Sequence, residues 1–220
     1  MAHHSPAAER NGHPILQVLQ QVLPAQGTAL EIASGTGQHV ALFATHLPGW
    51  VWQPSDAQDD AFDSIRAWCA QAGVPQVNEP LVLDVLAPQW PTRGQPFTHP
   101  FDAIYCANML HIAPWATCAA LMQGASRHLA PQGVLITYGP YLERDVPTAP
   151  GNLAFDESLR QRNPAWGIRP MDAVTQQAAL AGLCLSQRVQ MPANNLLLIF
   201  SRRATGAMAD GTSKTVKDHT

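Results

Sequence analysis

Leu30-Glu31-Ile32-Ala33-Ser34-Gly35-Thr36-Gly37-Gln38-His39 runs from an apolar strand, through a turn of small residues, into a helix. Lack of bulk in the turn lets the backbone approach a ligand, and the helix that follows offers unpaired amides at its N-terminus. A dinucleotide fingerprint, GxGxxG, would need glycine or alanine at position 40. Val40 stands there, so the close helix–strand packing of the third glycine is missing. On this stretch alone a purely structural strand-to-helix turn stays open.

Working outward, Ile15, Val18, Leu19, Val22 and Leu23 share one helical face between Pro14 and Pro24, so a helix is expected to open at Pro14. Val40, Phe43, Ala44 and Leu47 continue the helix after the turn, until Pro48-Gly49 stops it. Trp50–Gln53 reads as a second strand. Phe62, Ile65, Trp68, Cys69 and Ala72 mark a helix ending at Gly73. Leu81–Val85 and Asp102–Ala107 read as the third and fourth strands. Trp115, Cys118, Ala119, Met122, Ala125 and Leu129 form a helical face, and Val134–Tyr138 a fifth strand. A helix near 170–181 and strands near 184–190 and 195–202 complete the pattern. This alternation predicts an α/β fold with a doubly wound, mostly parallel seven-stranded sheet. Unbroken apolar strands such as Leu81-Val82-Leu83 fit burial on both faces.

Residues 140–169 interrupt the rhythm. Pro140, Pro147, Pro150, Gly151, Pro164 and Gly167 alternate with Tyr141, Phe155 and Trp166, which predicts an irregular lid or pocket wall inserted after the fifth strand. Residues 1–202 are expected to form a single domain. Residues 203–220, with almost no large apolar side chains, read as a disordered tail.

Thirteen Lys and Arg against sixteen Asp and Glu give a formal charge of −3, and 46% of residues are hydrophobic. Too few cations are available to neutralise a phosphate backbone, so nucleic acid is not the expected partner. No apolar run approaches the ~18–20 residues of a membrane span. No basic start followed by an apolar segment marks a secretory signal, so a cytoplasmic location is expected. Cys69, Cys106, Cys118 and Cys184 are isolated in apolar surroundings and read as free thiols. The histidines show no metal-ligand spacing, so no metal site is expected. Nothing in the sequence reports an oligomeric state.

Two later carboxylates strengthen the ligand reading. Asp56 follows the second strand, where an acid can accept hydrogen bonds from both hydroxyls of a ribose. Asp84, with Val85, closes the third strand and suits an adenine. Glu31, Asp56, Asp84 and Asn108 all fall at carboxyl ends of strands, where open α/β sheets bind ligands. A helix cap for Asp56 and a solvated turn for Asp84 compete with these roles. From Glu31 to Gly37 the chain is similar to the E/D-x-G-x-G-x-G turn of class I S-adenosylmethionine-dependent methyltransferases, with Ala33 in place of the first glycine.

Further strings carry a family resemblance. They are Glu9-Arg10-Asn11, Trp52-Gln53-Pro54-Ser55-Asp56, Tyr105-Cys106-Ala107-Asn108-Met109-Leu110-His111-Ile112 and Tyr138-Gly139-Pro140. Phe155-Asp156, Ser158-Leu159-Arg160, Trp166-Gly167-Ile168-Arg169 and Met191-Pro192-Ala193-Asn194-Asn195 continue the match. Taken in order with the glycine turn, they resemble the methyltransferase-like 26 family over roughly residues 5–202. The resemblance implies a class I methyltransferase fold with S-adenosylmethionine as cofactor, and leaves the substrate open. Gly12 and Pro170 depart from the family pattern, which tends to a lysine and an acid there.

Methyl transfer is an in-line displacement, so it needs an acceptor held close and, for a hydroxyl, a base to take its proton. His111, three residues after Asn108, is the candidate catalytic base, with a core or helix-capping role as its alternative. His39 is a second candidate, or else a polar residue lining the methionine end of the cofactor. Arg10 and Asn11, at the N-terminal entry to the expected first helix, suit the cofactor's carboxylate. Tyr138, Tyr141, Asn152, Phe155, Trp166 and Arg169 are expected to face the substrate, with Trp166 as an apolar plate and Arg169 as an anchor for an anionic group. Asn194-Asn195 reads as a hairpin turn. The sequence predicts a methyltransferase acting on oxygen or sulfur of a small molecule. A non-catalytic S-adenosylmethionine-binding interaction protein is the alternative, and a nicotinamide oxidoreductase is disfavoured by Val40.

Overall fold

A computed structural model describes residues 1–203; the tail expected for 203–220 lies, but for Arg203, outside the described residues. In chain order the elements are α1 (Pro6–Val22), β1 (Gly27–Ile32), α2 (Gln38–His46), β2 (Trp50–Asp56), α3 (Phe62–Ala72), β3 (Leu81–Val82), β4 (Phe101–Ala107) and a 3₁₀ turn at Met109–His111. There follow α4 (Ala116–His128), β5 (Leu129–Gly139), β6 (Tyr141–Leu142), α5 (Pro150–Arg162), β7 (Arg169–Pro170), α6 (Met171–Leu180), β8 (Leu183–Met191) and β9 (Asn195–Arg202).

Seven strands form one sheet in the order β3-β2-β1-β4-β5-β9-β8. The pairs from β3 through β5 are parallel, and β9 runs antiparallel to both β5 and β8. The predicted doubly wound sheet is present. Its strand order reverses between β1 and β4, and that switch point leaves a crevice at their carboxyl ends.

Both faces of the sheet are buried, which explains the nearly continuous apolar strands. Leu30, Ile104, Leu135, Leu198 and Phe200 point to a core built with Cys118, Leu121, Met122 and Ala125 of α4 and Val174 and Ala178 of α6. Their chain neighbours Ala29, Ala103, Tyr105, Ile136, Leu197 and Ile199 point the other way, into a core with α1, α2 and α3. The two-residue period of the strands thus divides one apolar run between two cores.

Three local expectations change. The first helix opens at Pro6, capped by Ser5, and carries Pro14 inside it. Arg10 and Asn11 are therefore interior helix residues. The third strand is only Leu81–Val82 before the chain turns away. Residues 140–169 are not irregular throughout, because Pro150 occupies a first-turn position of α5, where its missing amide costs nothing.

Candidate active site

The crevice at the switch point opens into a cavity of about 1040 Å³. Its walls come from α1, the turn after β1, the segment after β4, the end of β5, α5 and the β8–β9 connection. Of the residues expected at a site, Arg10, Asn11, Glu31, Ala33, Gly35, His39, Asn108, His111, Tyr138, Asn152 and Phe155 line it together.

The turn is held open by left-handed backbone at Ala33 (φ 56°), Gly35 (φ 53°) and Gly37 (φ 87°). The two glycines serve different ends. A Cβ on Gly35 would meet nothing within 4 Å, so its bareness keeps the cavity wall thin. A Cβ on Gly37 would lie 2.6 Å from Ile65 Cα, so Gly37 lets α2 seat against α3 and does not line the cavity. Asp56 ends β2 and accepts the Gly35 amide at 2.9 Å and the Ala57 amide at 2.8 Å. It braces the turn from just outside the lining.

Glu31 lies beneath this turn. It is buried, and its Oε2 has no hydrogen-bond partner among the described residues. Burial, reinforced by the nearby Asp56 charge, pushes its carboxyl up to about 8 against a pull from Ser34. A buried acid with an unmet oxygen on a cavity wall is arranged to receive a donor or a cation.

His39 is fully engaged. Its Nε2 lies 2.7 Å from Asn11 Oδ1, its Nδ1 lies 3.3 Å from the Tyr105 hydroxyl, and its ring stacks on Phe43. The network assigns the proton to Nε2, donated to Asn11, with Nδ1 accepting from Tyr105. Burial holds His39 down to about 4. It fastens α1 to α2 and has no free nitrogen to serve as a base.

His111 differs. Asn108 takes a left-handed conformation (φ 60°) and its amide donates to Tyr138 O at 2.8 Å, which turns the chain from β4 into the 3₁₀ segment. His111 is buried against Phe155, edge to face at 5.6 Å, and the absent side chain of Gly139 leaves room for its ring. No hydrogen bond from the described residues reaches that ring. Burial, then the charge of Arg169, keeps it down to about 4, so it is a neutral acceptor at ordinary pH.

Several expected residues sit elsewhere. Asp84 caps a local turn by accepting the Leu86 amide at 2.9 Å, and Val85 is core, because β3 ends too early to aim either at the crevice. Tyr141 is buried, with its hydroxyl donating to Thr137 Oγ1 at 2.8 Å. Arg169 is spent on carbonyls: its Nε donates to Leu110 O at 2.9 Å, and its Nη2 to Ala113 O at 2.6 Å and Ala165 O at 2.7 Å. Its guanidinium also stacks on Trp115. Together with the Gly167 amide, which donates to His111 O at 3.0 Å, it fixes the His111 segment in place. Trp166 does not face the cavity; it lies under the guanidinium of Arg162 at 5.6 Å.

Sequence reasoning missed Arg162 and undervalued Asn194, both of which line the cavity. Asn152, Phe155, Leu159 and Arg162 follow helical spacing and would have marked one face of α5, had Pro150-Gly151 not suggested a loop. Asn194 does belong to a turn, with φ 56°, and its carbonyl accepts Asn152 Nδ2 at 3.1 Å, tying α5 to the β8–β9 connection.

Among the described residues no group of acids, histidines and cysteines is placed to hold a metal ion, and no helix is long and apolar enough to cross a membrane.

The architecture has solved counterparts. The calicheamicin-biosynthesis methyltransferase CalO1, in an SAH-bound form, is 14% identical with a TM-score of 0.73 over 89% of this chain and 54% of its own. An O-methyltransferase family 2 protein from Planctomyces limnophilus, in complex with apigenin, is 19% identical with a TM-score of 0.73 over 89% of this chain and 60% of its own. An O-methyltransferase family protein from Burkholderia thailandensis is 16% identical with a TM-score of 0.74, over 91% and 58%. The chain spans little more than half the length of these proteins. The fold is the class I methyltransferase fold. Within that class the chain belongs to the family described as "Protein of unknown function (DUF938)", which matches residues 2–202.

Proposed function

We propose that this protein is an S-adenosylmethionine-dependent methyltransferase that modifies oxygen or sulfur on a small molecule, in line with its resemblance to the methyltransferase-like 26 family. The observation that carries this reading is Glu31, a buried acid with an unpartnered oxygen on the wall of the switch-point cavity. The residues fit the cofactor: an acid for its ammonium, Arg10 and Asn11 for its carboxylate, and Asp56 at the end of β2 for its ribose hydroxyls. When bound, S-adenosylmethionine supplies a methyl group activated by a sulfonium centre. Asn108 and Tyr138 shape the wall beside it. His111 takes the acceptor's proton, having a free ring nitrogen where His39 has none. The fixed segment that carries His111 supplies the placement on which such a displacement depends. Four free cysteines and a net charge of −3 support a cytoplasmic protein that acts on metabolites and not on nucleic acid.

Calorimetry tests the cofactor. S-adenosylmethionine and S-adenosylhomocysteine bind, NAD does not, and Asp56→Ala weakens binding by about 1–3 kcal/mol through lost charge-assisted hydrogen bonds. Unchanged affinity in that variant removes Asp56 from the site. With a turning-over acceptor, His111→Ala lowers the rate by about 10²–10⁴-fold for a hydroxyl. The acid limb of the wild-type pH profile falls near pH 4 and not near 6.5. An acid limb near 6.5 would assign the base elsewhere.

A further inference from the structure

We infer that the acceptor is a carboxylic acid with a flat apolar body, and that Arg162 holds its carboxylate; this rests on the methyltransferase reading of the same cavity. Arg162 lines the cavity from the last turn of α5. Its Nε donates to Ser158 O at 3.3 Å, and its guanidinium lies over the Trp166 ring. The terminal amino groups have no partner among the described residues. Arg10, the other arginine on the cavity wall, is assigned above to the cofactor's carboxylate, and Arg160, Arg188 and Arg169 are committed to Asp156 at 2.7 Å, to Glu143 at 2.6 Å and to three carbonyls. A guanidinium fixed by stacking, with its outer edge free, presents two parallel donors, the geometry that matches a carboxylate. A phosphate dianion would call for more cations than this edge supplies.

The body of the ligand is read from a second observation. Phe155 is 37% exposed and Ile112 is 43% exposed, yet both line the cavity, Ile112 next to His111 in the chain and Phe155 edge-on against its ring. Large apolar side chains left open inside a concavity bind apolar surface. Phe155 and Arg162 lie seven residues apart on the same face of α5, so one helix offers the plate and the anchor together. Among the described residues Glu31 is the sole acid that lines the cavity, and its burial beneath the glycine turn keeps it from opposing an anion at Arg162.

The test is calorimetry on protein saturated with S-adenosylhomocysteine, titrated with 4-hydroxybenzoate, 4-coumarate and 6-hydroxy-2-naphthoate, each paired with its primary amide. At least one acid is expected to bind about 10- to 100-fold tighter than its amide, the worth of a charge-assisted pair. Arg162→Gln brings acid and amide to parity while leaving S-adenosylhomocysteine affinity and the thermal midpoint unchanged. Arg162→Lys restores part of the preference, since an ammonium lacks the fork. Equal binding of acids and amides, no binding by any probe, or a preference that survives Arg162→Gln overturns the assignment. Failure of S-adenosylhomocysteine to bind overturns the methyltransferase reading separately, and the same titration without it still reports on Arg162.

Discussion

Gly35 and Gly37 look equivalent in the sequence and are not equivalent in the fold. Both take positive φ, which costs an alanine about 1–2 kcal/mol in the left-handed region. Ala33, at φ 56° in the same turn, already bears that cost. Gly35→Ala, facing open space, should therefore destabilise by about 1 kcal/mol. Gly37→Ala adds an overlap with the Ile65 backbone and should destabilise by about 2–5 kcal/mol. Urea denaturation separates the two, and equal losses would contradict the packing role of Gly37. The small-residue motif was legible from sequence. The division of labour within it depends on Ile65, which approaches from a helix twenty-eight residues away.

At the scale of elements, α5 and the strand that follows it form the mount for the His111 segment. Asp156 accepts Arg160 Nε at 2.7 Å and the Ile168 amide at 2.6 Å, hooking α5 to the chain that delivers Arg169. Against the burial that would raise it, the bonds from Arg160 and Ile168 hold Asp156 below the usual carboxylate range. Arg169→Leu leaves three carbonyls without their charged donor. It should destabilise the protein by about 2–3 kcal/mol, since hydrogen bonds to charged groups are worth about 1.5–3. Hydrogen exchange should quicken at the Ile112 and Gly167 amides, which close this segment. An Arg169 that instead anchored substrate would leave those amides protected. Sequence reasoning found the string Trp166-Gly167-Ile168-Arg169 and gave it the anchoring task that we assign to Arg162. Sequence alone cannot tell a guanidinium that faces carbonyls from one that faces a cavity. The boundaries of α1 were missed for a related reason: Pro14 reads as a helix start, and packing against α2 carries the helix through it.

For the whole molecule, three buried titratable groups shape the stability profile. Glu31 sits at about 8 against an ordinary 4.5, so the folded state keeps a proton that the unfolded chain has released, and stability falls as pH rises between those values. His39 and His111 sit at about 4 against an ordinary 6.5, so the unfolded chain binds protons that the folded state refuses, and stability falls as pH drops from 6.5 toward 4. Below 6.5 two histidines outweigh one carboxyl; above it the carboxyl prevails. Stability should peak near pH 6.5 and decline by roughly 1 kcal/mol by pH 8, less than the full 1.4 kcal/mol per pH unit of one proton because the unfolded histidines are still losing protons above the peak and Glu31 is half titrated at pH 8. Chemical denaturation across this range checks the shape, and Glu31→Gln should flatten its alkaline side.

The sequence by itself determined the α/β class, the winding of the sheet, the glycine turn and the set Glu31, Asn108 and His111 at the strand ends. These follow from local periodicity and from the rule that strand ends meet at a switch point, both of which are written into short stretches of chain. Only the tertiary structure decided that β3 stops before Asp84, that His39 is sealed between Asn11 and Tyr105, and that Arg162, with Trp166 beneath it, faces the cavity. The last two outcomes depend on partners 28, 66 and four residues away that close or spare a particular hydrogen-bonding group. Such competition for partners is settled by packing in three dimensions, where a residue's neighbours are no longer its neighbours in the chain.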